Sequence, residues 1–390
     1  MTPPPAHVVA ALAGARQPVC AYVYDRAALR GAAEALRTAL PARVEVLYAV
    51  KANSHPRVVA TLAGRLDGLE VASGGELALA AGTTARRVVF GGPGKTDAEL
   101  RAAVDAGALV HVESALELRR LAQAADAAHR DVQAAVRVNR AAAALPGSHQ
   151  MTGVATPFGV DETEVGAVVA LAATLPRVRV LGFHLHAVSN NLDAGAHAAF
   201  VTDAVRWAVT AARGCDLPLR YLNLGGGLGV DHAGGARFDL DVLGRALGAA
   251  LPALPADARL VLEPGRILAA DAGWYATEVL DLKRTHGRWF AVVRGGTHHF
   301  RLPAAWRYSH PFTVLPVSRW DHPFARPEVR DVAVDAVGQL CTPRDVLTRA
   351  QPVVHLRVGD VLVFARTGAY GWDISHHDFL RHPHPQMLVP

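Results

Sequence analysis

From residue 44 to about residue 265, short runs of β-branched and aliphatic residues alternate with longer Ala- and Leu-rich stretches. The runs at 44–50, 68–72, 88–90, 109–112, 134–138, 178–185, 221–224 and 260–262 predict eight strands. The stretches between them open with helix-capping chemistry. Ser73 precedes Glu76, Thr96 precedes Glu99 and Ser114 precedes Glu117, the spacing at which a hydroxyl and a carboxylate reciprocally satisfy the first free N–H groups of a helix. Eight strands separated by helices is the pattern of an α/β fold closed as a parallel (β/α)8 TIM-like barrel, with an open doubly wound sheet as the alternative.

The pattern changes near residue 275. Runs at 277–283 and 288–293 flank His286-Gly287 and predict a hairpin, and runs at 331–337 and 360–365 predict further strands among Gly- and Pro-rich connections. This is a C-terminal all-β domain. The run 21–24 is one more strand, followed by a helix over 27–40, and it precedes the first barrel strand, so it is expected to complete the β domain. The expected division is 1–40 for the N-terminal strand and helix, 41–275 for the barrel and 276–390 for the β domain.

Composition narrows the function classes. Of the 390 residues, 51% are apolar and 19% charged, a globular balance with ample material for a core. No apolar run approaches the ~20 residues that span a bilayer; the stretch 165–175 comes nearest and reads as a buried helix, so no membrane association is expected. The N-terminus lacks a basic region and carries an early proline cluster, which argues against a secretory signal. Cys20, Cys215 and Cys341 are too far apart for a metal site or a disulfide framework, which fits a reduced, cytoplasmic protein. The net charge of +5 is spread without Lys/Arg runs, so no nucleic-acid partner is expected and an acidic small molecule fits.

Candidate chemistry gathers at strand ends. The first barrel strand ends in Tyr48-Ala49-Val50-Lys51-Ala52-Asn53, and alone Lys51 reads as a strand-end lysine reaching solvent. The sixth ends in His184-Leu185-His186-Ala187-Val188-Ser189, the seventh in Gly225-Gly226-Gly227-Leu228-Gly229, and the eighth in Glu263-Pro264-Gly265-Arg266. In a parallel barrel these ends share one rim, where active sites are built. Together they suit a phosphorylated pyridine: glycines that let backbone N–H groups approach a phosphate, an arginine for a charge-assisted bond, and a carboxylate for a ring nitrogen. The glycine run is not a dinucleotide fingerprint, because Val230 occupies the place of the last glycine.

The motifs YAVKAN, GLEVASGGEL, VESALEL, HLHAVS, LGGGLG, EPGR, LCTPRD and TGAYG, in this order from about residue 20 to the C-terminus, resemble the ornithine and diaminopimelate decarboxylases, fold type III enzymes that use pyridoxal 5'-phosphate. The resemblance implies a barrel plus a β domain and a head-to-tail homodimer with shared active sites. It implies that Lys51 is the Schiff-base lysine, that His186 stacks on the cofactor ring, and that Glu263 faces the pyridine nitrogen. By the same resemblance Ser189, Gly226, Gly227, Gly265, Arg266 and Tyr370 hold the phosphate. Cys341 matches the cysteine that enters from the second subunit for protonation.

One position departs from that pattern. An acidic residue follows the cysteine in ornithine and diaminopimelate decarboxylases, where it holds the substrate's distal amino group; here Thr342 follows Cys341. A distal ammonium loses a partner worth roughly 1.5–3 kcal/mol, which argues for a different substrate. Arg301 and the His-rich tail, including His377, are candidate contacts for an anionic one. The tail spacing matches no strong zinc pattern, and no metal is expected. GGPGKTDAEL, HAVSNNLDA, GGTHHFR and LCTPRDVL are similar to the siderophore-biosynthesis branch, whose members decarboxylate citryl-diaminopropionate intermediates. The alternatives are a diaminopimelate or other basic amino-acid decarboxylase, an amino-acid racemase and a non-catalytic binding protein of this fold. Racemases of this fold set an arginine where Glu263 stands, and retention of Lys51, Glu263 and Cys341 argues against a silent protein.

Overall fold

The computed structural model describes residues 3–141 and 145–390. The chain forms two compact units. One comprises Arg30–Asp231 and Ala236–Leu268; the other comprises Met1–Leu29 (described from residue 3), His232–Gly235 and Ala269–Pro390.

The first unit is a closed eight-stranded parallel barrel. Around the ring the strands are Leu109–Val112, Val88–Phe90, Gly68–Val71, Val44–Ala49, Arg259–Leu262, Tyr221–Asn223, Val178–His184 and Val132–Asn139, which pairs back to Leu109–Val112. All eight predicted runs are strands, and the open-sheet alternative is excluded by that last pairing. The predicted first strand ends earlier than expected: Lys51 lies in a single 3-10 turn, Val50–Ala52, beyond the strand. Side chains alternate in and out along each strand. Leu47, Val89, Leu109, Ala135, Tyr221 and Val261 form one buried apolar layer inside the barrel.

The predicted helix caps are present, with one difference. Ser73, Thr96 and Ser114 each accept a hydrogen bond from the backbone N–H three residues on, but the reciprocal capping box forms only at Thr96. Glu76 turns back to Ala72 N, and Glu117 is drawn into the interior by the Lys95 ammonium at 2.5 Å. A buried amine without a carboxylate costs more than an incomplete cap.

The second unit is built on a mixed sheet ordered Thr313–Leu315, Val361–Ala365, Gly273–Thr285, Arg288–Val293, Glu328–Val337 and Val346–Arg357. The N-terminal strand Cys20–Tyr24 pairs antiparallel with Gly273–Thr285, as expected, and parallel with Gln386–Leu388. Its side chains Ala21 and Val23 pack with Val8, Leu12, Trp274, Ala276, Val361 and Val363. The predicted hairpin turns at His286 and Gly287, both at positive φ (47° and 81°), the conformation of a type I′ turn. The twelve-residue strand Val346–Arg357 was not predicted. It contains Pro352, which reads as a strand breaker, and it sits at the end of the sheet order, where proline is tolerated. Among the described residues, no helix is long and apolar enough to cross a membrane.

Candidate functional site

The site grows out of the barrel's alternation. Two residues beyond members of the apolar layer, the same inward row turns polar: His111 follows Leu109, Arg137 follows Ala135, Asn223 follows Tyr221 and Glu263 follows Val261. Four residues beyond Leu47 comes Lys51. The strands that lead to Lys51, Glu263, the triple glycine and His186 are four consecutive neighbours in the ring.

Glu263 is buried at the centre. Asn223 Nδ2 donates to its Oε1 at 2.6 Å, His184 Nε2 lies 3.4 Å from its Oε2, and His111 Nδ1 lies 3.9 Å from Oε1. His111 and His184 stack with ring centroids 4.1 Å apart. Burial holds both imidazoles well below the usual value of 6.5, so both are neutral at pH 7 and set no cation against the carboxylate. Among the described residues, His111, His184 and Glu263 are also the group whose ligand atoms lie close enough to hold a metal ion; the His-rich tail forms no such group.

Lys51 is half exposed, and its Nζ donates to Glu70 Oε2 at 2.7 Å. Burial raises the Glu70 carboxyl above its usual range, and the Lys51 ammonium beside it works against that shift. Lys51 is thus aimed by an ion pair to the neighbouring strand rather than by burial. Around it the backbone is crowded. A Cβ on Gly265 would sit 2.8 Å from Ala52 Cβ, and side chains at Gly226 and Gly227 would collide with the carbonyls of Glu263 and Val188. Gly225 N donates to Asn223 Oδ1 at 2.8 Å, while Gly226 N donates to His186 Nδ1 at 3.2 Å. That bond makes Nδ1 an acceptor, so the His186 proton sits on Nε2. Ser189 lies in the two-residue strand Val188–Ser189, paired with His149–Gln150. Arg266 is buried just after Gly265.

The remaining candidates belong to the β unit. Arg301 and Thr342 line one cavity of about 1040 Å³. His377 does not line it: its ring stacks on Trp372 at 3.5 Å and its Nε2 bonds the Trp372 carbonyl at 2.6 Å, while His376 takes the place at the cavity wall. Cys341 is an exposed free thiol, and Tyr370 adopts a positive φ of 56°.

Sequence reasoning did not single out Glu70, His111, Arg137 and Asn223. His111, Arg137 and Asn223 were findable by carrying the inward row two residues past Leu109, Ala135 and Tyr221 of the inner layer, whereas Glu70 follows Gly68 and had no such signal.

A family model described as "Pyridoxal-dependent decarboxylase, pyridoxal binding domain" matches residues 26–270. The chain belongs to the pyridoxal-dependent decarboxylase family. It is 40% identical to the 2-[(L-alanin-3-ylcarbamoyl)methyl]-2-hydroxybutanedioate decarboxylase of Staphylococcus aureus, over 98% of this chain and 96% of the relative. It is 32% identical to a diaminopimelate decarboxylase of Aquifex aeolicus, over 94% and 86%. Among solved structures, diaminopimelate decarboxylase from Helicobacter pylori complexed with L-lysine superposes with a TM-score of 0.84 at 25% identity, over 96% of this chain and 92% of that one. The enzyme is a pyridoxal-phosphate-dependent amino-acid decarboxylase. The barrel rim fits that cofactor on its own geometry, because a glycine cradle that admits no Cβ lies beside a neutral imidazole, a buried carboxylate and a buried arginine.

The buried histidines make stability depend on pH. Burial depresses His111 and His184 well below 6.5 and pushes His197 down to about 4. The unfolded chain therefore binds more protons than the native one below pH 6.5, so this stability is present above about 6.5 and is lost as pH falls toward the native values. Each such histidine adds a slope of about 1.4 kcal/mol per pH unit. Thermal denaturation between pH 7 and pH 5 is expected to show a steadily falling Tm; a flat profile would mean that the native imidazoles are protonated.

Proposed function

We propose that the enzyme removes the α-carboxylate of a citrate-linked diaminopropionate, leaving a primary amine for carboxylate siderophore assembly. The carrying observation is the 40% identity, over 98% of this chain, to the Staphylococcus aureus enzyme whose substrate is an alanin-3-ylcarbamoyl hydroxybutanedioate. Thr342 in place of an acid supports the same reading, since it withdraws the partner a distal ammonium needs.

When bound, pyridoxal phosphate supplies an electron sink for the carbanion left by loss of carbon dioxide. Lys51 is the amine that holds the cofactor covalently, kept in place by Glu70 at 2.7 Å. Ser189, Gly226, Gly227, Gly265 and Arg266 hold the phosphate, and the family resemblance adds Tyr370. His186 offers a neutral ring face, its orientation set by Gly226 N. Glu263 would accept a hydrogen bond from the cofactor's ring N–H and so keep that nitrogen protonated, with Asn223 Nδ2 donating to its Oε1 and neutral His184 beside it. Cys341, from the second subunit of a head-to-tail homodimer, returns a proton to the substrate carbon. The reading places the enzyme in the cytoplasm and divides the chain at 1–40, 41–275 and 276–390.

A substrate panel tests this. Carbon dioxide release and product mass are expected to show turnover of citryl-diaminopropionate and little of meso-diaminopimelate, lysine or ornithine. Brisk turnover of diaminopimelate with none of the citrate-linked compound would instead make this a diaminopimelate decarboxylase.

A further inference from the structure

The cavity that holds Arg301 and Thr342 is lined by four arginines, Arg301, Arg307, Arg344 and Arg349, and by His376, with no carboxylate in its wall. None of the four guanidinium groups makes an ion pair or a side-chain hydrogen bond among the described residues. That is unlike other arginines of the same unit: Arg288 pairs with Asp335, and Arg326 and Arg357 share Asp360. Four like charges around one concavity repel each other, an arrangement that a multiply charged anion relieves.

The acid nearest in sequence is directed elsewhere. Asp345 is buried, and its carboxylate accepts from Thr297 N at 2.6 Å and Leu340 N at 2.9 Å. Side chains at Gly296 or Gly338 would collide with it. Asp345 therefore ties the segment that ends in Arg301 to the loop that carries Thr342 and Arg344, and it spends its oxygens on backbone N–H groups instead of neutralising guanidinium. The hydroxyl-bearing residues Tyr308, Ser309 and Thr342 line the same wall. Guanidinium forks match carboxylates in pairs, and a hydroxyl-bearing dicarboxylate would meet both kinds of group.

We propose that this cavity is the subsite for the two carboxylates and the hydroxyl at the distal end of the substrate, with Arg344 and Arg307 as specificity-determining residues. The inference rests on the citrate-linked reading above and extends it to Arg307, outside the quoted motifs, and to Arg344, within LCTPRD. Its chemistry replaces the acid-for-ammonium contact with guanidinium-for-carboxylate contacts in the same loop that follows Cys341.

The test uses holoenzyme carrying Arg344→Ala or Arg307→Gly. Arg307 ends the helix Leu302–Trp306 at φ 56°, a left-handed position that glycine occupies without penalty, so R307G removes the guanidinium while favouring the backbone. Two readouts are taken: steady-state kinetics on citryl-diaminopropionate, and calorimetric titration with citrate as the probe. Each variant is expected to raise KM about tenfold or more with kcat within a factor of three, and to weaken citrate binding by a similar factor. Unchanged KM and unchanged citrate affinity in both variants would overturn the subsite while leaving the substrate assignment standing. If wild-type enzyme does not turn over the citrate-linked compound, the substrate reading fails and citrate alone decides the cavity. Binding to wild type that is lost in both variants then supports an anion site, whereas no binding to wild type overturns it. Should R344A not fold, R307G carries the same decision.

Discussion

Replacing Lys51 with alanine is expected to reduce decarboxylation by at least about 10³-fold, equivalent to some 4 kcal/mol of barrier. The substitution removes the one amine that stands beyond the barrel's first strand beside the glycine cradle, and it leaves Glu70 buried without its partner at 2.7 Å. Two measurements check it: single-turnover carbon dioxide release, and mass mapping of cofactor retained on the polypeptide after borohydride reduction. Wild type should carry the label on the peptide containing Lys51, and the variant should carry none. Label on another lysine, or turnover near the wild-type rate, would remove Lys51 from the reaction. Because Glu70 is drawn toward its protonated form once the ammonium is gone, Lys51→Ala should still fold, and an unchanged barrel signal in circular dichroism would separate lost chemistry from lost structure.

Glu263→Gln is the second large effect. Glutamine keeps the shape of the side chain and can still accept from Asn223, but it carries no negative charge. The flanking imidazoles of His111 and His184 are neutral and cannot substitute for it. A fixed charge in a buried site is worth on the order of 10²–10³ in rate, so kcat is expected to fall by roughly 10²-fold, about 2.7 kcal/mol. Cofactor stoichiometry should stay near that of wild type, since the residues proposed to hold the phosphate are others. A variant with normal kcat would show that Glu263 only satisfies Asn223, and one that lost the cofactor altogether would show that it supports binding rather than rate.

These two predictions draw on different kinds of legibility. Lys51 and Glu263 are visible in the sequence as polar residues at the ends of apolar runs, and the order of motifs by itself points to the family. Glu70, which aims Lys51, was inside a quoted motif and still went unnoticed. On a four-residue strand a single acid looks like a surface residue, and only the pairing of Ala49 with Glu70 in adjacent strands brings it beside Lys51. His111 hid for a similar reason: one histidine in an aliphatic strand reads as filler until the stacked His184 and Glu263 stand next to it.

The β unit was less legible. Its strands were found where they alternate cleanly around a Gly turn, and missed where Pro352 interrupts the twelve-residue strand Val346–Arg357. Arg307 and Arg349 carried no signal, since isolated arginines are ordinary surface residues, and Arg344 lay inside LCTPRD with nothing to mark its role.

The chain alone therefore determined the period of the barrel, the strand that completes the β unit, the cofactor chemistry and the loss of the acid at Thr342. Those properties reside in local spacing and in short motifs, which a linear string records directly. The tertiary structure decided which side chains meet. Closure of the barrel turned separate strand ends into one rim. The Asp345 carboxylate, by binding backbone N–H groups of two distant segments, collected unpaired guanidinium groups around one cavity. Such contacts depend on register and on long-range hydrogen bonds, neither of which is written in the spacing of residues along the chain.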